Sequence, residues 1–168
     1  MSEFVFRMAT PKDTALLLQF IKDLAVYERM ENEVVADEAT LNEWIFEKKT
    51  AEVMFALVDG VEVAFAVFFQ SFSTFVGRGG LHLEDVFVKP AFRGRGIGKA
   101  ILKELAAIAT ARGYGRMEWT CLDWNESSID FYLGLGATPM SEWTTYRMSG
   151  EALSALAAGA DNAFLANS

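Results

Sequence analysis

The spacing of hydrophobic residues along the chain changes repeatedly, from two to between three and four and back, and each change marks a predicted element. Residues 4–8 read as a first strand. Thr10, Pro11 and Asp13 then form a helix start: an N-cap hydroxyl, a proline where no N–H is needed, and an acid at the third helical position. Leu16, Leu17, Phe20, Ile21 and Leu24 follow at helical spacing. A second short helix is predicted after Asp37, with Leu41, Trp44 and Ile45 on its inner face. Residues 53–58 and 61–69 read as strands joined by Asp59-Gly60, a pair suited to a two-residue hairpin. Val61, Val63, Phe65, Val67 and Phe69 share one face of the second strand, and the small Ala64 and Ala66 leave the other face open to close helix packing.

Residues 71–80 are polar, aromatic and glycine-rich, and predict a mobile loop. Residues 81–88 return to strand, but the period slips: large apolar residues stand at 81 and 83, then at 86 and 88, with Glu84-Asp85 between. One inserted residue would produce a β-bulge, and a strand buried on both faces would give the same pattern. Residues 99–112 predict the longest helix, striped by Ile97, Ile101, Leu105 and Ile108. A strand over 116–122, a helix over 125–135 ended by Gly136, and a last strand over 143–148 follow. Residues 150–168 are alanine-rich and predict a terminal helix with a loose end. No internal repeat is present, and the order of elements predicts a mixed α/β sheet in one domain, residues 1–168.

Composition narrows the chemistry. With 168 residues, 52% apolar and 23% charged, the chain is long enough for one core without a metal or disulfide. Cys121 is the only cysteine and His82 the only histidine, which excludes a disulfide framework, a Cys/His zinc site, a Cys₄ iron–sulfur centre and a two-histidine iron site. A net charge of −8 disfavours a nucleic-acid partner and favours a cation. The first residues carry an acid and no sustained apolar run, and residues 61–69 are about half of a membrane span. A cytoplasmic protein without a membrane partner is the expectation.

Arg93-Gly-Arg-Gly-Ile-Gly98 lies between the slipped strand and the longest helix. Its glycines let backbone N–H groups approach a ligand, and the helix start adds its positive dipole end, an arrangement suited to pyrophosphate. Arg93, Arg95 and Lys99 add charge. It is not a P-loop, because Gly98-Lys99 is followed by Ala100. A dinucleotide fingerprint would space its glycines differently and open the first βαβ unit.

Arg93-x-x-Gly96-x-Gly98 resembles the R/Q-x-x-G-x-G/A motif of the GNAT superfamily of acetyl-CoA-dependent N-acetyltransferases. Residues 21–28, Leu83-Glu-Asp-Val-Phe-Val88, the glycine segment and residues 124–132 are similar, in order and spacing, to its spermidine/spermine (diamine) branch. The resemblance implies a GNAT fold: a mixed, mostly antiparallel central sheet with helices on both faces and a splayed, bulged strand at the cofactor site. It further implies acetyl-CoA as cosubstrate, no metal, a small cationic amine as acceptor, and a homodimer.

The same resemblance assigns site residues. Cofactor contacts map to the backbone of Val86, Phe87 and Val88, then to Arg93, Gly94, Arg95, Gly96, Ile97, Gly98 and Lys99, with Asn125 and Ser128 at a further turn. Asn125 is equally a good helix N-cap. Tyr132 matches the general acid that protonates the departing thiolate, and Glu84 an acid that binds the acceptor ammonium or draws off its proton. Tyr27, Glu28, Glu84, Asp85, Glu118, Trp119, Thr120 and Glu142 match acceptor contacts, and Glu28 begins an acidic group with Glu31 and Glu33. In a regular strand Asp85 would face away from Glu84. Ser127 stands where relatives carry proline, and Ser73 and Phe75 where the polyamine enzymes carry an aspartate and a tryptophan, which weakens a spermidine preference.

The remaining residues read as structural: His82 as an edge histidine, Cys121 as core, and Trp44, Trp119, Trp124 and Trp143 as packing. No activated nucleophile is evident, so direct transfer to the amine is expected over an acyl-enzyme. The alternatives are an amino-acid or protein amine as acceptor, or an acyl-CoA sensor without turnover.

Overall fold

The computed structural model describes residues 4–160. The chain forms two compact units, one ending at Trp124 and one beginning at Asn125.

The first unit is built on a five-stranded sheet in the order β1-β2-β3-β4-β5: β1 (Val5–Met8), β2 (Glu52–Val58), β3 (Val61–Ser73), β4 (Arg78–Val88) and β5 (Met117–Glu118). The first four strands pair antiparallel and β5 joins β4 in parallel, so the sheet is mixed and mostly antiparallel. Asp59 (φ 49°) and Gly60 (φ 80°) turn β2 into β3 with two left-handed residues, as the Asp-Gly pair predicts.

The centre of the sheet is covered on both faces. Val53, Met54, Phe55 and Ala56 are each no more than 3% exposed, though their side chains alternate between the faces. Helix α1 (Thr14–Tyr27) sets Leu17, Phe20 and Leu24 on one face, against Val53, Phe55, Phe65, Val67 and Phe87. Phe20 stacks on Phe65 with ring centroids 5.1 Å apart. Helix α3 (Ile97–Ala111) packs against β3 and β4 through its buried Ile97, Ile101, Leu102 and Leu105, and the fully buried Ala56, Ala64 and Ala66 leave room for a close approach. The start of α1 is tied down by Arg7, which reaches Asp13 at 2.8 Å and Glu62 at 2.6 Å. Asp13 in turn accepts the Thr10 N–H at 2.7 Å.

Several elements depart from the sequence reading. Residues 71–80 are not a mobile loop: the β3–β4 ladder continues to Ser73↔Arg78. Ser73 closes the turn, its hydroxyl accepting the Val76 N–H and its carbonyl the Gly77 N–H. Gly79 and Gly80 serve close approach, since a Cβ at Gly80 would lie 2.7 Å from Ser71 Oγ and 3.2 Å from the Arg116 carbonyl. The strand expected over 116–122 shortens to Met117–Glu118, because β4 bulges two residues beyond His82 and the parallel ladder stops there. Cys121 therefore lies past the strand end and is half-buried rather than core.

In the short helix α2 (Glu38–Leu41) and the wider turn after it, Leu41 and Ile45 pack on the core. Trp44 does not; it is half exposed and carries the Lys48 ammonium 3.9 Å above its ring.

The second unit holds α4 (Glu126–Gly134) and α5 (Gly150–Ala158), both at predicted places. Residues 143–148 join no sheet among the described residues, and Trp143 and Tyr146 are largely exposed. A strand is expected there, but residues that favour a strand do not supply its hydrogen-bonding partner. The tail reading beyond residue 160 lies outside the described residues.

Candidate active site

The slip in the period of β4 is a bulge. Val67 pairs with Asp85 and Phe68 with Leu83, which leaves Glu84 as the extra residue. In a regular strand successive side chains face opposite ways. Here Glu84 and Asp85 both line one pocket of about 400 Å³, with Ile21, Leu24, Ala25 and Glu28 of α1 and its end on one side and Met30, Glu33, Val34, Val35 and Ala36 on another. Its wall is mainly apolar, with four carboxylates set into it.

Burial, and then the charges of Glu84 and Glu28, push the Asp85 carboxyl up to about 7. Burial alone raises Glu28. Glu84 is the most exposed of the three and lies 3.6 Å from His82 Nε2, whose ring rests on Phe69 at 4.7 Å. His82 is half-buried but is not the edge residue expected: it pairs with Phe69 of β3 and with Glu118 of β5.

Beyond the bulge β4 has no partner on its outer side among the described residues. The Lys89 N–H donates to the Val63 carbonyl at 2.8 Å, so by antiparallel alternation Phe87 turns its backbone groups toward β3. Val86 and Val88 turn theirs outward, and the Phe87 ring enters the core. A short turn, Pro90–Phe92, leads into the glycine segment. Gly94 (φ 78°) and Gly96 (φ 81°) adopt the left-handed region, and α3 begins at Ile97. A Cβ at either glycine would meet no atom within 4 Å, so the loop bounds open space. The first N–H groups of α3 have no partner within the helix and face that end. Arg95 lies over the Phe92 ring at 5.0 Å, and Lys99 is exposed. The Arg93 Nε donates to the Val88 carbonyl at 2.9 Å.

Near the end of β5, Glu118 pairs with Arg116 at 2.8 Å, while Trp119 and Thr120 lie beyond the strand, so Glu118 and Thr120 do not share a strand face. Burial, then Glu28 and Asp123, raise the Cys121 thiol, which disfavours a thiolate nucleophile. In the second unit Asn125 caps α4, its Oδ1 accepting the Ser128 N–H at 3.4 Å. Tyr132 is half-buried on α4 beside Phe131, and Glu142 lies in an exposed turn.

The acetyltransferase (GNAT) family model matches residues 18–137, a span that runs from α1 through the bulge and glycine loop to the end of α4. The chain belongs to the GNAT family. It is 32% identical over 169 residues to a thialysine N-epsilon-acetyltransferase of Sus scrofa, covering 94% of this chain and 99% of that protein. A spermidine/spermine N(1)-acetyltransferase-like protein of Homo sapiens is 29% identical over 91% of this chain and 24% of its own length, in keeping with the branch resemblance. Among solved structures, an integron cassette protein from V. cholerae superposes with a TM-score of 0.77 at 27% identity, covering 94% of this chain and 99% of that one.

Within this GNAT fold the residues singled out by sequence fall into local groups. Glu28, Glu84 and Asp85 meet in one pocket, and Tyr27, Phe87 and Arg93 make contact beside the glycine loop. Glu33 and residues 34–36 are pocket walls that the sequence reading did not assign to the site, although Glu33 had been noted in the acidic group after α1. Trp124 is 42% exposed and sits between Tyr27 (6.3 Å) and the Arg29 guanidinium (4.4 Å), a layer that no periodicity signals.

Proposed function

We propose that the protein is an acetyl-CoA-dependent N-acetyltransferase that passes the acetyl group directly to a primary amine of a small polycationic or lysine-like acceptor. The observation that carries this reading is the Glu84 bulge, beyond which β4 has no partner on its outer side among the described residues and which turns two successive carboxylates into one pocket. The residues present suit acetyl-CoA. The outward groups of Val86 and the outward N–H of Val88 can take an amide-bearing arm by strand addition. The N–H groups after Gly94 and Gly96, the start of α3, and the charges of Arg95 and Lys99 suit a pyrophosphate.

The acceptor must lose a proton before its nitrogen can attack the thioester carbonyl. Asp85, with a carboxyl near neutrality, is a better proton acceptor than an ordinary aspartate, and Glu28 and Glu84 favour a cation beside it. As the C–N bond forms and the C–S bond breaks, the sulfur leaves as a thiolate that needs a proton. Family resemblance assigns that donor to Tyr132. An apolar wall with acids at intervals fits an alkyl chain that ends in an amine, and the relatives named for thialysine and spermidine/spermine favour the same acceptor class.

A thiol-release assay with acetyl-CoA across monoamines, diamines, spermidine and lysine analogues tests the reading. Turnover is expected with diamines and lysine-like amines competing with spermidine. Tyr132→Phe is expected to lower kcat by ~10²–10⁴-fold with acetyl-CoA binding retained. Release of thiol with none of these amines would refute it.

A further inference from the structure

The Arg93 side chain is exposed, yet it is held against the protein by one hydrogen bond and two aromatic rings. Its Nε donates to the Val88 carbonyl, an outward group at the end of β4. Its guanidinium lies over two rings, Tyr27 at 4.9 Å and Phe87 at 5.2 Å, and those rings are themselves 6.4 Å apart. Tyr27 is the last residue of α1, and the next residue, Glu28, both caps the helix and lines the acid pocket. One side chain therefore touches the cofactor-side strand and the ring adjoining an acceptor-side carboxylate.

We propose that Arg93 is a positioning residue, which clamps the end of α1 to the end of β4 and thereby sets the distance between acceptor amine and thioester. This rests on the acetyl-transfer reading above. The clamp needs arginine: a planar guanidinium stacks on aromatic faces while its Nε donates in its own plane, and a lysine ammonium does not combine the two. Phosphate recognition then rests on the backbone N–H groups of the loop, with Arg95 and Lys99, exposed as Arg93 is, adding charge.

Arg93→Lys keeps the charge at the loop and breaks the clamp. The amides of Glu28, Arg29 and Met30, bonded to the carbonyls of Leu24, Val26 and Ala25, report on the end of α1. Their hydrogen exchange is expected to accelerate about tenfold in the variant, with α3 unchanged. In steady-state kinetics the amine KM is expected to rise about tenfold, and the acetyl-CoA KM by less than about threefold. Tyr27→Leu removes the ring and leaves the loop intact. It should reproduce both effects and add little when combined with Arg93→Lys. Unchanged exchange at residues 28–30, a loss confined to the acetyl-CoA KM, or full additivity of the two substitutions would each overturn the clamp. A wild-type protein that transfers no acetyl group would overturn the functional reading instead, and hydrogen exchange would still decide the clamp.

Discussion

Asp85 holds its proton to about pH 7 because burial and two neighbouring acids disfavour its ionised form. In the unfolded chain it titrates near ~4, so between those values the folded protein binds an extra proton. Folding stability must then fall as pH rises through that window. Asp85→Asn removes this cost: its melting temperature should exceed that of the wild type at pH 8, and the two should converge near pH 4. Thermal melts at both pH values check this, and a gap of equal size at each would contradict it. Asp13, held at about 2 mainly by its hydrogen bonds to Arg7, behaves oppositely and costs stability only in strong acid. At Gly96 the backbone itself makes the demand. Its φ of 81° costs a branched L-residue ~1–2 kcal/mol, and a Cβ there meets no protein atom. Gly96→Val should remain folded while acetyl-CoA affinity falls at least tenfold, about 1.4 kcal/mol. Calorimetric titration at wild-type affinity would separate this loop from phosphate recognition.

Among the elements, β4 decides the site. Up to His82 it is an ordinary internal strand, paired on both sides, and beyond Glu84 it keeps its β3 ladder without a partner on the other side. The extra residue separates these two behaviours. Deleting Glu84 would let Leu83↔Phe68 continue directly into Asp85↔Val67, so both halves of the ladder keep their existing pairs. The shortened protein should fold with unchanged circular dichroism, because no buried apolar side chain moves to the other face. It should lose amine transfer by about 100-fold or more, since Asp85 then lacks the local twist that turns it toward Glu28. Retained activity in a folded deletion variant would show that the bulge is incidental to the chemistry.

For the whole molecule, the balance of 15 basic and 23 acidic residues biases encounter toward cations, and the pocket concentrates that bias in Glu28, Glu33, Glu84 and Asp85. The β3–β4 turn adds no acid to it: Ser73 is 7% exposed and spends its hydroxyl on the Val76 N–H. The distal charge of a diamine therefore depends on acids around α1. Glu28→Gln should raise KM for a diamine more than for a monoamine of equal length, and the difference should shrink as salt is added. Steady-state kinetics on matched pairs decide it, and equal KM changes would remove Glu28 from the acceptor site.

Features that local chemistry controls are written in the order of the residues. The Asp59-Gly60 hairpin, the stripe of α3, the Asn125 cap and the family motif at Arg93–Gly98 all depend on residues near one another in the chain, and all were legible. Tertiary structure alone decided the questions of partnership. The slip at Glu84-Asp85 was visible as a pattern, but only pairing with Val67 and Phe68 distinguished a bulge from a strand buried on both faces. The glycines at 79 and 80 looked like loop residues until the neighbouring strands showed what a Cβ would strike. Residues 143–148 read as a strand and have no ladder to join among the described residues. Glu33 entered the pocket, and Arg93 turned from the loop to Val88 and Tyr27, through contacts between segments far apart in sequence. Side-chain period records which face is buried; it does not record what lies against that face, and the chemistry of this site is set by what lies there.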